Sequence, residues 1–118
     1  MDFEKIIEKI RSHPESAKMG MIATHLGIVR GNSLNGRDVS EIEAAYDHEK
    51  IREIASYCKA LAGIVDVVIE VNEGILKIGD IIMFVAVGGD VRDHVFPALV
   101  KTVDRIKKEA GKKKEFYR

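Results

Sequence analysis

Five basic residues offer the chain's best prospects for chemistry: Arg30, Arg37, Arg92, Lys107 and Lys114. Arg30 ends an apolar stretch, and Arg37 sits in the polar turn after it. Arg92 follows Gly88-Gly89. Lys107 and Lys114 belong to the closing segment "IKKEAGKKKEFYR", residues 106–118. Arginine grips phosphate through two parallel hydrogen bonds. Lysine supplies a point charge or, where its pKa is lowered, a proton donor or acceptor. Taken singly, each also reads as a solvated surface charge, and lysines in the last turn of a helix face the negative end of its dipole.

Charge distribution sets the closing segment apart. The chain holds 19 Lys+Arg and 19 Asp+Glu, a formal net charge of zero. Residues 101–118 carry eight basic side chains against three acidic ones, a net +5, which leaves −5 for the rest. Such a concentration speaks of an anionic partner rather than of fold.

Other chemistries find little support. His13, His25, His48 and His94 lack zinc-site spacing, and no second cysteine joins them, so no metal site is expected. Cys58 has apolar neighbours at helical spacing and reads as a small buried core residue. No phosphate loop of the P-loop or dinucleotide type is present, and "VGGDVR" reads as a strand-to-helix turn. At 118 residues, 46% hydrophobic and 32% charged, the composition suits one soluble globular domain. No run approaches the roughly 20 apolar residues that span a bilayer. "MDFEKIIEKIRSHPE" lacks the features of a signal peptide, which reads as a cytoplasmic protein.

The elements that must position these side chains follow from periodicity. Phe3, Ile6, Ile7 and Ile10 predict a short amphipathic helix that His13-Pro14 stops. "GMIATHLGIVRG" (20–31) reads as a strand, "NSLNGRD" as a turn, and "VSEIEAAY" (39–46) as the returning strand. A stripe of Ile51, Ile54, Ala55, Cys58, Leu61 and Ala62 predicts a helix over 47–62, stopped by Gly63. Strands are predicted at 64–72, within "EGILKIGD", and at 81–89, the last a fully covered central strand. Asp90 reads as the cap of a final helix with an apolar face of Val95, Phe96, Leu99, Val100, Val103 and Ile106. Pro97 interrupts its first turns, and Gly111 ends it. The order is αββαβββα, an α+β domain with a mostly antiparallel sheet and packed helices.

In order and spacing, these motifs resemble the large, catalytic subunit of molybdopterin synthase. The resemblance runs from about Gly20 to Glu115. "GIVRGNSLNGRDVSEIEAAY" looks like the family's "G-x-V-R", polar turn, "G-R-x-V" and strand ending in tyrosine. "GILKIGD" looks like its "G-x-L-x-x-G-D". The last block looks like its "H-R-x-x-x-F-x-A" followed by a helix and two lysines seven residues apart.

The resemblance implies an α/β hammerhead-type fold and a homodimer within a heterotetramer. It implies a small ubiquitin-like sulfur carrier whose C-terminal Gly-Gly enters the site as a thiocarboxylate. The substrate it implies is cyclic pyranopterin monophosphate, which receives two sulfurs and becomes molybdopterin. No resident cofactor is implied. Carried over residue by residue, Arg30 and Arg92 bind substrate, Arg92 from across the dimer. Lys107 and Lys114 are the two site lysines, catalytic and substrate-binding, Lys114 by an ungapped count of seven from Lys107. Residues 1–15 read as an added N-terminal helix and 112–118 as a basic C-terminal segment of a single domain, 1–118.

The chain differs from the family pattern at three places. Val91 stands where a histidine precedes the arginine, Asn72-Glu73 where His-Arg is frequent, and "AGKKK" (110–114) where a Pro-aromatic-Trp stretch is usual. These differences define a second reading, a non-catalytic member that binds a carrier or pterin. A third, nucleic-acid binding by the basic tail, finds no recognised motif and only Phe116 and Tyr117 to stack on bases.

Overall fold

Two three-stranded sheets share the strands, where the sequence reading expects one. The computed structural model describes all 118 residues. Helix α1 (Phe3–Arg11) leads through a 3₁₀ turn (Ser16–Lys18) into β1 (Met21–Ile28). Then come β2 (Val39–Tyr46), α2 (His48–Lys59), β3 (Ile64–Val71), β4 (Gly74–Lys77) and β5 (Ile81–Gly89). Helix α3 (Arg92–Arg105) runs into one π-helical turn (Ile106–Ala110), and β6 (Gly111–Tyr117) follows. The α+β class and the expected order hold as far as α3. Strand β6 is an addition to that order, and it takes up the segment read as a basic tail.

The first sheet has the order β1-β5-β3, all antiparallel. As the continuous apolar run predicts, β5 is central, and every residue from Ile82 to Gly89 is buried. Its alternate side chains serve two cores. Met83, Val85 and Val87 join the main core with Ile54, Cys58, Val95 and Ala98 from the helices. Phe84 and Ala86 face the other way and pack on Ile6 and Ile10 of α1. The Phe3 and Phe84 rings lie 4.7 Å apart. Burying each isoleucine contributes about 1.5–3 kcal/mol before entropy is counted. Gly88 lets α1 approach, since a Cβ there would lie 2.6 Å from Met19 Sδ and 2.9 Å from Ile10 Cγ2. "VGGDVR" carries the chain from the end of β5 to the start of α3, the strand-to-helix turn expected of it.

The second sheet has the order β4-β2-β6, also antiparallel. Strand β2 does not return along β1. The turn between them, with Gly36 at φ +85°, keeps only the isolated bridge Asn32–Asp38. Strand β2 instead places Val39, Ile42, Ala44 and Tyr46 in the main core and leaves Ser40, Glu43 and Ala45 outside.

Both α1 and α2 begin on an aspartate cap, Asp2 accepting from Lys5 N–H and Asp47 from Lys50 N–H, each at 3.1 Å. Helix α3 begins differently. Val91 is its N-cap, with no side-chain cap bond. Asp90 instead accepts from Val91 N–H at 2.6 Å and holds His94 Nδ1 at 2.8 Å. The buried face of α3 is also rotated from the expected one. Val95, Ala98, Thr102 and Val103 point inward, while Phe96 and Val100 are exposed. Pro97 sits inside the helix without ending it.

Candidate functional site

Three elements bring a cation each to one corner. Arg30 lies two residues beyond β1, Lys107 rises from the π-helical turn, and Lys113 comes from β6. Ile106 and Ala110 anchor the turn by their burial, which leaves Lys107 outside. A π turn inside or at the end of a helix changes the angle at which a side chain leaves it, and such turns gather at functional sites.

The strand register puts the two lysines of β6 on opposite faces. Lys113 pairs with Ala44 and Lys114 with Glu43. Directly opposed residues in a sheet share a face. Ala44 is buried, so Lys113 lies on the inner face, and Lys114 lies on the outer one. There Lys114 Nζ stands 5.3 Å from the centre of the Phe116 ring. The row across the sheet reads Gly74–Ala44–Lys113, which frees the lysine stem from bulky neighbours.

The electrostatics mark the same group. The Lys113 pKa is held below its ordinary value, chiefly by loss of solvent around its ammonium and next by Lys107. Glu115 opposes this, and Arg30 adds to it. The residue as a whole keeps an exposed surface, so the effect belongs to the ammonium's recess. None of Arg30, Lys107 and Lys113 forms an ion pair, unlike Arg11, Lys18, Lys50, Lys59 and Arg105. Three cations that converge with no ion pair, and with Glu115 as the one carboxylate acting on Lys113, can hold an anion.

His25 joins this corner from β1. It is half-buried, on the inward side with Ala23, and the Lys107 charge reaches it. The sequence offered one signal for it, a lone ionisable side chain inside an otherwise apolar strand.

The remaining basic candidates lie elsewhere. Arg37 is stacked on Tyr117, its guanidinium carbon 3.7 Å from the ring centre, and fastens the end of β6. Arg92 lies at the opposite end of α3 from Lys107, beside a depression of about 360 Å³ lined by Gly20, Met21, Asp90, Val91 and Asp93. Fifteen helical residues span roughly 22 Å at the usual rise. One chain therefore does not bring Arg92 and Lys107 to the same small molecule. No three His, Cys, Asp or Glu side chains stand together as a metal site.

The family model described as "MoaE protein" matches residues 1–109. The chain belongs to the MoaE family. This family provides the catalytic subunit of molybdopterin synthase, a sulfurtransferase of molybdenum cofactor biosynthesis. The match includes α1, which the resemblance had left outside its span, and stops before β6. No curated protein matches the chain. Among solved structures, molybdopterin synthase from Staphylococcus aureus is similar in fold at TM-score 0.82 and 22% identity, covering 100% of this chain and 86% of that one. A molybdopterin biosynthesis MoaE protein from Burkholderia ambifaria is 27% identical at TM-score 0.77, covering 100% and 81%. A complex of subunits 1 and 2 of molybdopterin-converting factor from Helicobacter pylori is similar at TM-score 0.72 and 14% identity, covering 100% and 80%.

In this MoaE family member the corner can bind an anion, neutralise charge that develops on oxygen, and move protons. No helix is long and apolar enough to cross a membrane.

Proposed function

We propose that this chain performs the synthase reaction itself, moving sulfur from a thiocarboxylated ubiquitin-like carrier to cyclic pyranopterin monophosphate, in the cytoplasm. The observation that carries this reading is the convergence of three unpaired cations, Arg30, Lys107 and Lys113, from three separate elements. Arg30 grips the substrate phosphate. Lys107 donates a proton as sulfur attacks the pterin carbon. Lys113, in place of Lys114, offsets charge on the acyl oxygen or the carrier's carboxylate. The Helicobacter pylori relative, described as a complex of two subunits, supports a small partner subunit.

A homodimer completes the site in this reading. Arg92 enters from a second copy, since its own α3 holds it roughly 22 Å from Lys107. Two copies, each with a carrier, make a heterotetramer.

Reconstitution tests the proposal: purified chain, cyclic pyranopterin and thiocarboxylated carrier, with molybdopterin as the readout. Product is the expected result. Carrier binding without product would favour the non-catalytic reading, which rests on Val91 standing where the family has a histidine.

A further inference from the structure

Three of the four histidines have hydrogen-bond partners. His13 Nδ1 accepts from Glu15 N–H at 3.0 Å, His48 Nε2 meets Glu73 at 2.5 Å, and His94 Nδ1 meets Asp90 at 2.8 Å. Neither ring nitrogen of His25 hydrogen-bonds within the protein, and no buried side-chain polar atom in the chain lacks a partner. The His25 nitrogens are therefore open to solvent, and the Lys107 charge reaches the ring.

The strand around His25 makes room for this. The ring lies along β1 over Gly27, where an added Cβ would stand 3.4 Å from His25 Nε2. Gly27 is on the way to Arg30, so the imidazole leans toward the anion-binding end of the strand. The cross-strand partner is Val85, which is apolar. The π turn supplies Lys107. Lys113 of β6 and Arg30 beyond β1 add two more positive charges, and Glu115, two residues along β6 on the same face as Lys113, adds one negative charge.

We propose that His25 is the proton acceptor of this site, taking a proton from the water that cleaves the acyl link between carrier and sulfurated pterin. The proposal rests on the sulfur-transfer reading above. In that step the water oxygen bonds to the acyl carbon. The carbon–sulfur bond breaks, and its electron pair stays on the sulfur. One water proton goes to the imidazole, and the carrier's new carboxylic acid releases the other to solvent. A cluster of ammonium and guanidinium groups stabilises such an oxyanion but offers no lone pair while protonated. The imidazole supplies one. Burial, and then Lys107, hold the His25 pKa below its ordinary 6.5, so the ring is neutral at pH 7.

The test uses single-turnover rapid quench with His25→Gln and, as a second variant of different shape, His25→Asn. The acyl-linked carrier–pterin adduct is expected to accumulate. Hydrolysis is expected to slow about 10²-fold, and the limb of the pH profile that falls toward acid is expected to disappear. Wild-type hydrolysis and an unchanged profile in either folded variant would overturn the proposal, as would loss of the first sulfur transfer without adduct. A second readout needs no activity. An NMR titration of His25 is expected below 6.5, moving upward in Lys107→Met. A midpoint that ignores Lys107 would separate the two groups and refute the shared site. If wild-type protein makes no product, the sulfur-transfer reading falls and takes this step with it, whatever the NMR midpoint.

Discussion

Lys113 and Lys114 are adjacent and chemically identical, yet their surroundings differ. One opposes buried Ala44, and the other lies beside Phe116 on the outer face. Lys107→Ala and Lys113→Met are expected to cut molybdopterin formation by about 10²-fold or more, while Lys114→Ala stays within a few-fold of wild type. Lys113→Met has a second expected outcome. The folded pKa of Lys113 lies below the unfolded 10.5, so the folded chain holds that proton less well. The resulting destabilisation is fully present below the folded pKa and is relieved as pH rises through it toward 10.5. A thermal melt at pH 7 should therefore show no loss of Tm in Lys113→Met. A fall of several degrees would mean that the lysine supports the fold. The sequence could not choose between the two lysines, because a count from Lys107 carries no information about which face a residue takes. His25 was legible as an ionisable side chain in an apolar strand, but its nearness to Lys107 depends on contacts distant in sequence.

Strands and helices with a strong apolar period were legible, β5 above all. The missed element, β6, has none. Its stretch "GKKKEFY" is the composition of an exposed edge strand, where lysines discourage pairing with other chains. That signal is the same as that of a solvated tail. The rotated face of α3 has a related cause. Phe96 and Val100 are apolar by type but exposed, while Thr102 is fully buried because its hydroxyl donates to Ala98 C=O at 2.7 Å. Periodicity counts residue types and does not see such bonds. The packing of α1 on β5 makes a separate prediction. Gly88→Ala would press on Met19 and Ile10, at a cost of about 1–3 kcal/mol, or a Tm lower by roughly 5–15 °C. An unchanged melt would show that α1 yields without loss.

The molecule measures 49 × 25 × 25 Å with a radius of gyration of 15.2 Å. A compact chain of this length has about 13–14 Å. The rise of α3 and of the π turn that continues it keeps Arg92 and Lys107 apart. Subunit complementation tests the dimer that the proposed function requires. Arg92→Ala and Lys107→Ala proteins are each expected to be inactive. Mixed and re-equilibrated one to one, they should regain ~25% of wild-type activity, because half the dimers then hold one intact site of two. No recovery, with subunit exchange shown, would mean that Arg92 acts within its own chain or not at all. The distance between these residues was legible in the sequence, because the helix predicted between Asp90 and Gly111 holds Arg92 in its first turn and Lys107 near its end. It follows from one uninterrupted helix, in which even Pro97 is accommodated.

The run Lys112, Lys113, Lys114 has a consequence for how this site tolerates genetic change. Insertion or deletion of one residue before β6 shifts its pairing with β2 by one place, which in a strand exchanges the two faces. In most strands that would remove the functional side chain. Here the position opposite Ala44 would receive Lys112 or Lys114 in place of Lys113, and an ammonium would still enter the recess. Under the proposed function, three consecutive lysines would keep one ammonium opposite Ala44 after a register shift of a residue in either direction.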